Sequence, residues 1–263
     1  MRNSRMAGFR TGLVVMGSVL LLSVTANVFA EEACTEFSTV PFVIKKAGHY
    51  CMAADISAPE NARQQFMIMV LDNNVTLDLR GYRLSGPGSG MGIAAMQRSD
   101  VVIQNGTISD FDIGIALMSM RSTPVATNNT FRNLKLLNNR LAGIVAVGDK
   151  TVIQNNVIKN TGGASKPLNG AYKPGTAFGI NVNGSEIQIT GNTINGTTAT
   201  LNGVAYGIYL EWSPNSIIAN NTISGQSRGI AISYETGSEP KFLDNTFSNV
   251  PRELGKHHSS KYR

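Results

Sequence analysis

Two glutamates set among aromatic and amide side chains are the residues of this sequence best suited to chemistry. Glu211 lies in Gly207-Ile208-Tyr209-Leu210-Glu211-Trp212, and Glu235 follows Gly229-Ile230 and Tyr234. On adjacent strands of a parallel sheet, about 4.8 Å apart, two such carboxyls come within reach of the ~5–5.5 Å separation of a retaining glycosidase pair, one as acid and one as nucleophile or base. Tyr209, Trp212 and Tyr234 surround them, and Asn181 and Asn183 occupy the equivalent positions one repeat earlier. Rings stack on the flat faces of sugars while amides and carboxylates fix hydroxyls, so the same set describes a polysaccharide-binding groove. A plainer alternative is that the rings brace neighbouring loops and the carboxylates are simply solvated. The remaining ionisable candidates are weaker. His49, His257 and His258 lie near the chain ends, and Asp110-Phe111-Asp112 reads as a turn before Gly114 rather than a calcium site. No metal or other cofactor is expected.

These side chains must be held by a repeat. Gly-Ile recurs at Gly92-Ile93, Gly114-Ile115, Gly143-Ile144, Gly179-Ile180, Gly207-Ile208 and Gly229-Ile230, at intervals of 22, 29, 36, 28 and 22. Between successive pairs lie two more short apolar segments, such as Thr151-Val152-Ile153 and Val157-Ile158, joined by Asn-centred corners at Asn105, Asn155-Asn156, Asn192, Asn220-Asn221 and Asn245. Alternation with period two marks strands with one buried face. Asn tolerates the left-handed backbone of a tight corner, and its amide can bond to the Asn one coil away. The pattern predicts an all-β, three-sided solenoid of about seven coils, and no amphipathic helix of useful length follows Ala30.

Reading the positions after each Gly-Ile pair as outward gives Ala94, Met96, Ala116, Met118, Val145 and Val147, then Asn181, Asn183, Tyr209 and Glu211. The first six form an apolar stripe that calls for a cover, either the 119–127 loop or a second copy of the chain in self-association. Long insertions before Gly179 and Gly207 leave the same corner of adjacent coils and should stack into one wall; the longer one carries Tyr172 and Lys173.

The N-terminus has Arg2, Arg5 and Arg10, an apolar run from Leu13 to Val24, and small residues leading to Ala30. This is the pattern of a secretory signal cleaved after Ala30, which directs the protein to the periplasm or the exterior and leaves no stable membrane span. In that oxidising setting Cys34 and Cys51 form a disulfide, and closing a loop of this length is worth roughly 3 kcal/mol. The organisation expected is signal 1–30, disulfide-bearing cap 31–65, β-helix 66–250 and basic tail 251–263. Residues 31–250 carry 16 cations and 16 acids. A neutral body does not provide the concentrated basic face that nucleic acid requires.

Gly48-His49-Tyr50-Cys51 with Asp55, the coil Val75 to Gly81 and the coil Asn105 to Ile108 resemble the small-repeat group of the pectate-lyase-like (pectin lyase-like) right-handed parallel β-helix proteins. The resemblance spans about residues 45–250 and implies a single-stranded right-handed parallel β-helix. Its members include polysaccharide lyases, hydrolases, epimerases, esterases and non-catalytic carbohydrate-binding or assembly proteins. The Gly-His-Gly, Arg-Ile-Lys and Asp-Pro-His-Asp segments of its hydrolases and epimerases do not occur here. The expectation is an exported glycan-binding or structural β-helix. The alternatives are a lyase or hydrolase acting on the Gly-Ile face, and homotypic assembly through the apolar stripe.

Overall fold

The computed structural model describes residues 33–59, 65–118, 125–166, 172–234 and 238–256; the expected signal at 1–30 and the residues after 256 lie outside them. The described chain is all β, its strands stacked in parallel as a solenoid of about seven turns. One sheet contains the Gly-Ile strands, from Phe42–Ile44 to Arg252–Lys256. The other two faces are linked into a second sheet, because Val101–Ser109 and Thr130–Leu137 run across the corner between them.

Three ladders of side chains fill the interior. Ile93, Ile115, Ile144, Ile180, Ile208 and Ile230 stack in register on the Gly-Ile face. Leu77, Ile103, Phe131, Ile153, Ile189 and Ile218 do so on the second, and Leu84, Ile108, Leu136, Ile158, Ile194 and Ile223 on the third. All are buried in one core. Each such side chain withdrawn from water contributes about 1.5–3 kcal/mol before conformational entropy is set against it.

The corner asparagines divide two tasks between neighbours. Asn155 and Asn220 take the left-handed backbone, with φ of 55° and 56°. The next residues, Asn156 and Asn221, turn inward and are buried. Asn156, Asn192, Asn221 and Asn245 form a continuous column. Both the backbone N and Nδ2 of Asn156 donate to Asn192 Oδ1 (2.9 and 3.0 Å), and those of Asn192 donate to Asn221 Oδ1 (3.0 and 3.0 Å). Asn221 repeats the pattern on Asn245. Corner groups that would otherwise be buried without partners are thereby paired coil to coil.

The Gly of each Gly-Ile pair lies within its strand at a close approach between coils. A Cβ on Gly143 would lie 2.7 Å from the Gly179 carbonyl oxygen and 2.8 Å from Ile158 Cγ2. Gly143→Ala is expected to destabilise the chain by about 1–3 kcal/mol. The change should appear as a lower urea midpoint with an unchanged slope; an unaltered midpoint would mean that glycine does not set the coil spacing.

At the N-terminal end, Cys34 and Cys51 are joined, and Thr35–Phe37 pairs with Gly48–Met52 in the same sheet as the later coils. At the other end the segment expected as a basic tail begins with a strand. Leu254 of Arg252–Lys256 pairs with Ile230 and extends the isoleucine ladder by one more residue. His257 and His258 lie outside the described residues.

Candidate binding face on the Gly-Ile sheet

In strand Ala205–Trp212, Ile208 and Leu210 face the core, while Tyr206 and Tyr209 face away from it. Both outward residues lie in rows running from coil to coil: Ala142, Phe178, Tyr206 and Arg228 in one, Val145, Asn181, Tyr209 and Ala231 in the other. These rows form a second apolar layer outside the solenoid together with Ile113, Ala116 and Leu141, and Ala164 and Tyr172 of the long insertion pack onto it.

The two insertions join as the sequence suggested. Gly162 pairs with Thr198, Thr200 N donates to the Gly175 carbonyl at 3.0 Å, and Thr200 Oγ1 donates to the Ala164 carbonyl at 2.8 Å. This wall brings Tyr172 over the sheet. Its ring meets Phe178 and Tyr209 edge-on, with centroids 4.8 and 5.7 Å apart, and Asn181 Nδ2 donates to its hydroxyl at 3.1 Å. Phe178 and Tyr206 stack face to face at 5.4 Å.

The outward positions predicted from sequence therefore fall into two levels. Asn181 (4% exposed) and Tyr209 (3%) lie beneath Tyr172 and serve as its bed. Ala94, Ala116 and Val145 are likewise covered, leaving Met96 exposed and Met118 and Val147 half-buried. The upper level comprises Tyr172, Asn183, Glu211 and Trp212, and Lys173, next to Tyr172 in sequence, is exposed.

A β-bulge creates the upper level at its centre. Val182 pairs with Leu210, but Asn183 pairs with Trp212, so Glu211 is an additional residue in its strand. Strict alternation would send Trp212 inward after an outward Glu211; the bulge instead leaves Trp212 36% exposed. Asn183 Nδ2 donates to Glu211 Oε2 at 3.3 Å. Trp212 is paired through its backbone with Tyr234 on the next coil, whereas Glu235 lies outside the described residues. The patch thus brings together one indole, one carboxylate and one amide. No group of His, Cys, Asp and Glu able to hold a metal occurs among the described residues. Asp112 is occupied structurally, accepting from Gly90 N at 2.9 Å and pairing with Arg140.

The family described as the right handed beta helix region matches residues 67–172 and 126–253, together well over half of the chain. The chain belongs to this family. Curated proteins contain no match to the β-helix sequence. Among solved structures, PfbA, a surface adhesin of Streptococcus pneumoniae, is similar with TM-score 0.55 and 16% identity, over 83% of this chain and 64% of that one. The β-helix therefore spans less than two thirds of the adhesin structure. The mannuronan C-5 epimerase AlgE4 A-module of Azotobacter vinelandii (TM-score 0.41, 13% identity, 86% and 80% covered) and the catalytic domain of a GH87 alpha-1,3-glucanase in complex with tetrasaccharides (0.43, 16%, 87% and 61%) align more loosely. At these identities the likeness is one of fold.

Phe178, Tyr206 and Arg228 of the β-helix escaped the sequence reading, which took outward residues only after each Gly-Ile pair. The signal lay in the residue just before each Gly: Met91, Ile113, Ala142, Phe178, Tyr206 and Arg228. The row changes from aliphatic to aromatic to cationic along the solenoid.

Burial holds the tyrosines protonated. It pushes Tyr206 up to about 12 and raises Tyr209, while burial and then the nearby Glu211 carboxylate raise Tyr172 further. Unfolded tyrosines ionise near 10, so the stabilisation from keeping these phenols neutral is complete below that pH and is lost as pH rises through the folded values. Phenolate absorbance should show a late-titrating fraction of the seven tyrosines that ionises together with loss of near-ultraviolet dichroism. Uniform titration near pH 10 would contradict a covered aromatic layer.

Proposed function

We propose that the chain acts outside the cytoplasm, in the periplasm or beyond the cell, as a glycan-binding β-helix. The N-terminal signal pattern and the Cys34–Cys51 disulfide support the location. The observation that carries the binding role is Trp212, turned outward by the bulge beside the Asn183–Glu211 pair. A pyranose ring stacks on the indole, the amide and carboxylate take its hydroxyls, and Tyr172 and Lys173 border the site. Asn181 and Tyr209 act as positioning residues below. Acid–base hydrolysis with retention requires a second carboxyl, and the described residues bring only Glu211 to this patch.

The test is incubation of the protein lacking residues 1–30 with a panel of neutral and uronate polysaccharides, reading retention and new reducing or unsaturated ends. Retention without new ends is expected. New ends that disappear in Glu211→Gln would replace binding by catalysis, with Glu235 as the partner to examine. Neither retention nor new ends would overturn the proposal and direct attention to self-association through Met96 and Met118.

A further inference from the structure

The carboxylate of the Trp212 patch carries its charge without a counterion. Glu211 Oε2 accepts from the Asn183 amide at 3.3 Å, and Glu211 joins no ion pair among the described residues. The residue is half-buried, so its charge is screened less than that of a fully solvated carboxylate. Its neighbours are aromatic: Trp212 follows it at the bulge, and the Tyr172 and Tyr209 rings meet edge-on with centroids 5.7 Å apart. Burial, and after it the Glu211 charge, raises Tyr172, and no cation is among the groups acting on that hydroxyl. Tyr209 is raised foremost by burial, and there the effect of Glu211 exceeds the opposing effect of Arg228. The Arg228 guanidinium lies over the Tyr206 ring, 5.7 Å from its centroid. Lys173, although next to Tyr172 in sequence, is exposed and pairs with no carboxylate among the described residues. The patch is therefore anionic as well as aromatic.

We infer that the Trp212 patch selects glycans by charge, taking amino sugars with a free ammonium ahead of neutral sugars, and neutral sugars ahead of uronates. This inference rests on the glycan-binding reading of the same patch. The ammonium donates to Glu211 Oε1, which has no donor among the described residues, while Asn183 continues to hold Oε2. Such a bond between two ionised groups is roughly twice as strong as a neutral one. The ring of Trp212 adds attraction for the same cation. A uronate carboxylate brought to this position meets a like charge and gives up water without gaining a partner. Acetylation of the amine removes the cation and leaves an uncharged amide, so the ligand class is a polymer of deacetylated hexosamine.

The test is titration of the protein lacking residues 1–30, at about pH 5.5, well below the ordinary range of amines, with hexamers of glucosamine, N-acetylglucosamine and galacturonate. Binding is read by calorimetry and by Trp212 emission. The glucosamine hexamer should bind at least about tenfold more tightly than its acetylated form, and galacturonate most weakly. Added salt should shrink that advantage, and Glu211→Gln should reduce it to about twofold or less. The salt series reads the same charge contact without any substitution. Equal binding of the amine and its acetylated form, a preference for galacturonate, an advantage indifferent to salt, or one that survives in a Glu211→Gln protein of unchanged melting temperature would overturn the inference and leave a glycan-binding patch standing. Binding of none of the three hexamers would overturn the glycan-binding reading and this inference with it.

Discussion

Asn192→Ala is expected to lower the stability of the solenoid by about 3–5 kcal/mol, with little change at the surface. Asn192 is buried, and its side chain serves two neighbours at once. Its Oδ1 accepts from both nitrogens of Asn156, and its Nδ2 donates to the Ile153 carbonyl at 2.9 Å and to Asn221 Oδ1 at 3.0 Å. Alanine removes the amide and leaves the backbone N–H of Asn156 and the carbonyl of Ile153 without these partners. Each buried group so orphaned costs about 1–3 kcal/mol, and the interrupted column adds to the loss. Asn155→Gly supplies the control, because Asn155 is exposed and its φ of 55° is one that glycine adopts freely. Urea unfolding of the two variants should differ by several kcal/mol. Similar midpoints would show that the asparagine column contributes nothing particular to the stack.

Trp212→Ala should weaken glycan retention by roughly 30-fold, about 2 kcal/mol, while leaving the melting temperature close to that of the parent. The residue is more than a third exposed and lies outside both buried clusters, so loss of its side chain opens no cavity in either. What it removes is the flat apolar surface on which a sugar ring rests, a contact for which an aliphatic side chain is a poor substitute. Trp212→Phe should retain part of the affinity. Undiminished retention in Trp212→Ala would move the binding site elsewhere on the molecule.

The fold was legible because its determinants are local and repeated. The Gly-Ile pairs, the Asn corners and the alternating short strands each recur at every coil, and the stacked isoleucines follow directly from that recurrence. The site was legible in part. Alternation counted from each Ile located Asn183 and Glu211, but it gave no sign of the bulge, which arises where two strands of unequal phase pair and which turns Trp212 outward. The covering of Asn181 and Tyr209 depends on their contacts with Tyr172, which no local pattern encodes. Tyr206 was missed for a geometric reason. Two successive positions, Gly207 and Ile208, face the core, so Tyr206 and Tyr209, three residues apart, emerge on the same side.

Trp212 is the only tryptophan in the chain, so its emission reports on the proposed site without a label. The most direct measurement is a fluorescence titration of the protein lacking residues 1–30 with the glycan it retains most strongly. The predicted result is a saturable blue shift with the same midpoint as retention, as the sugar excludes water from the indole. A glycan that is retained while the emission stays unchanged would contradict binding at the Trp212 face.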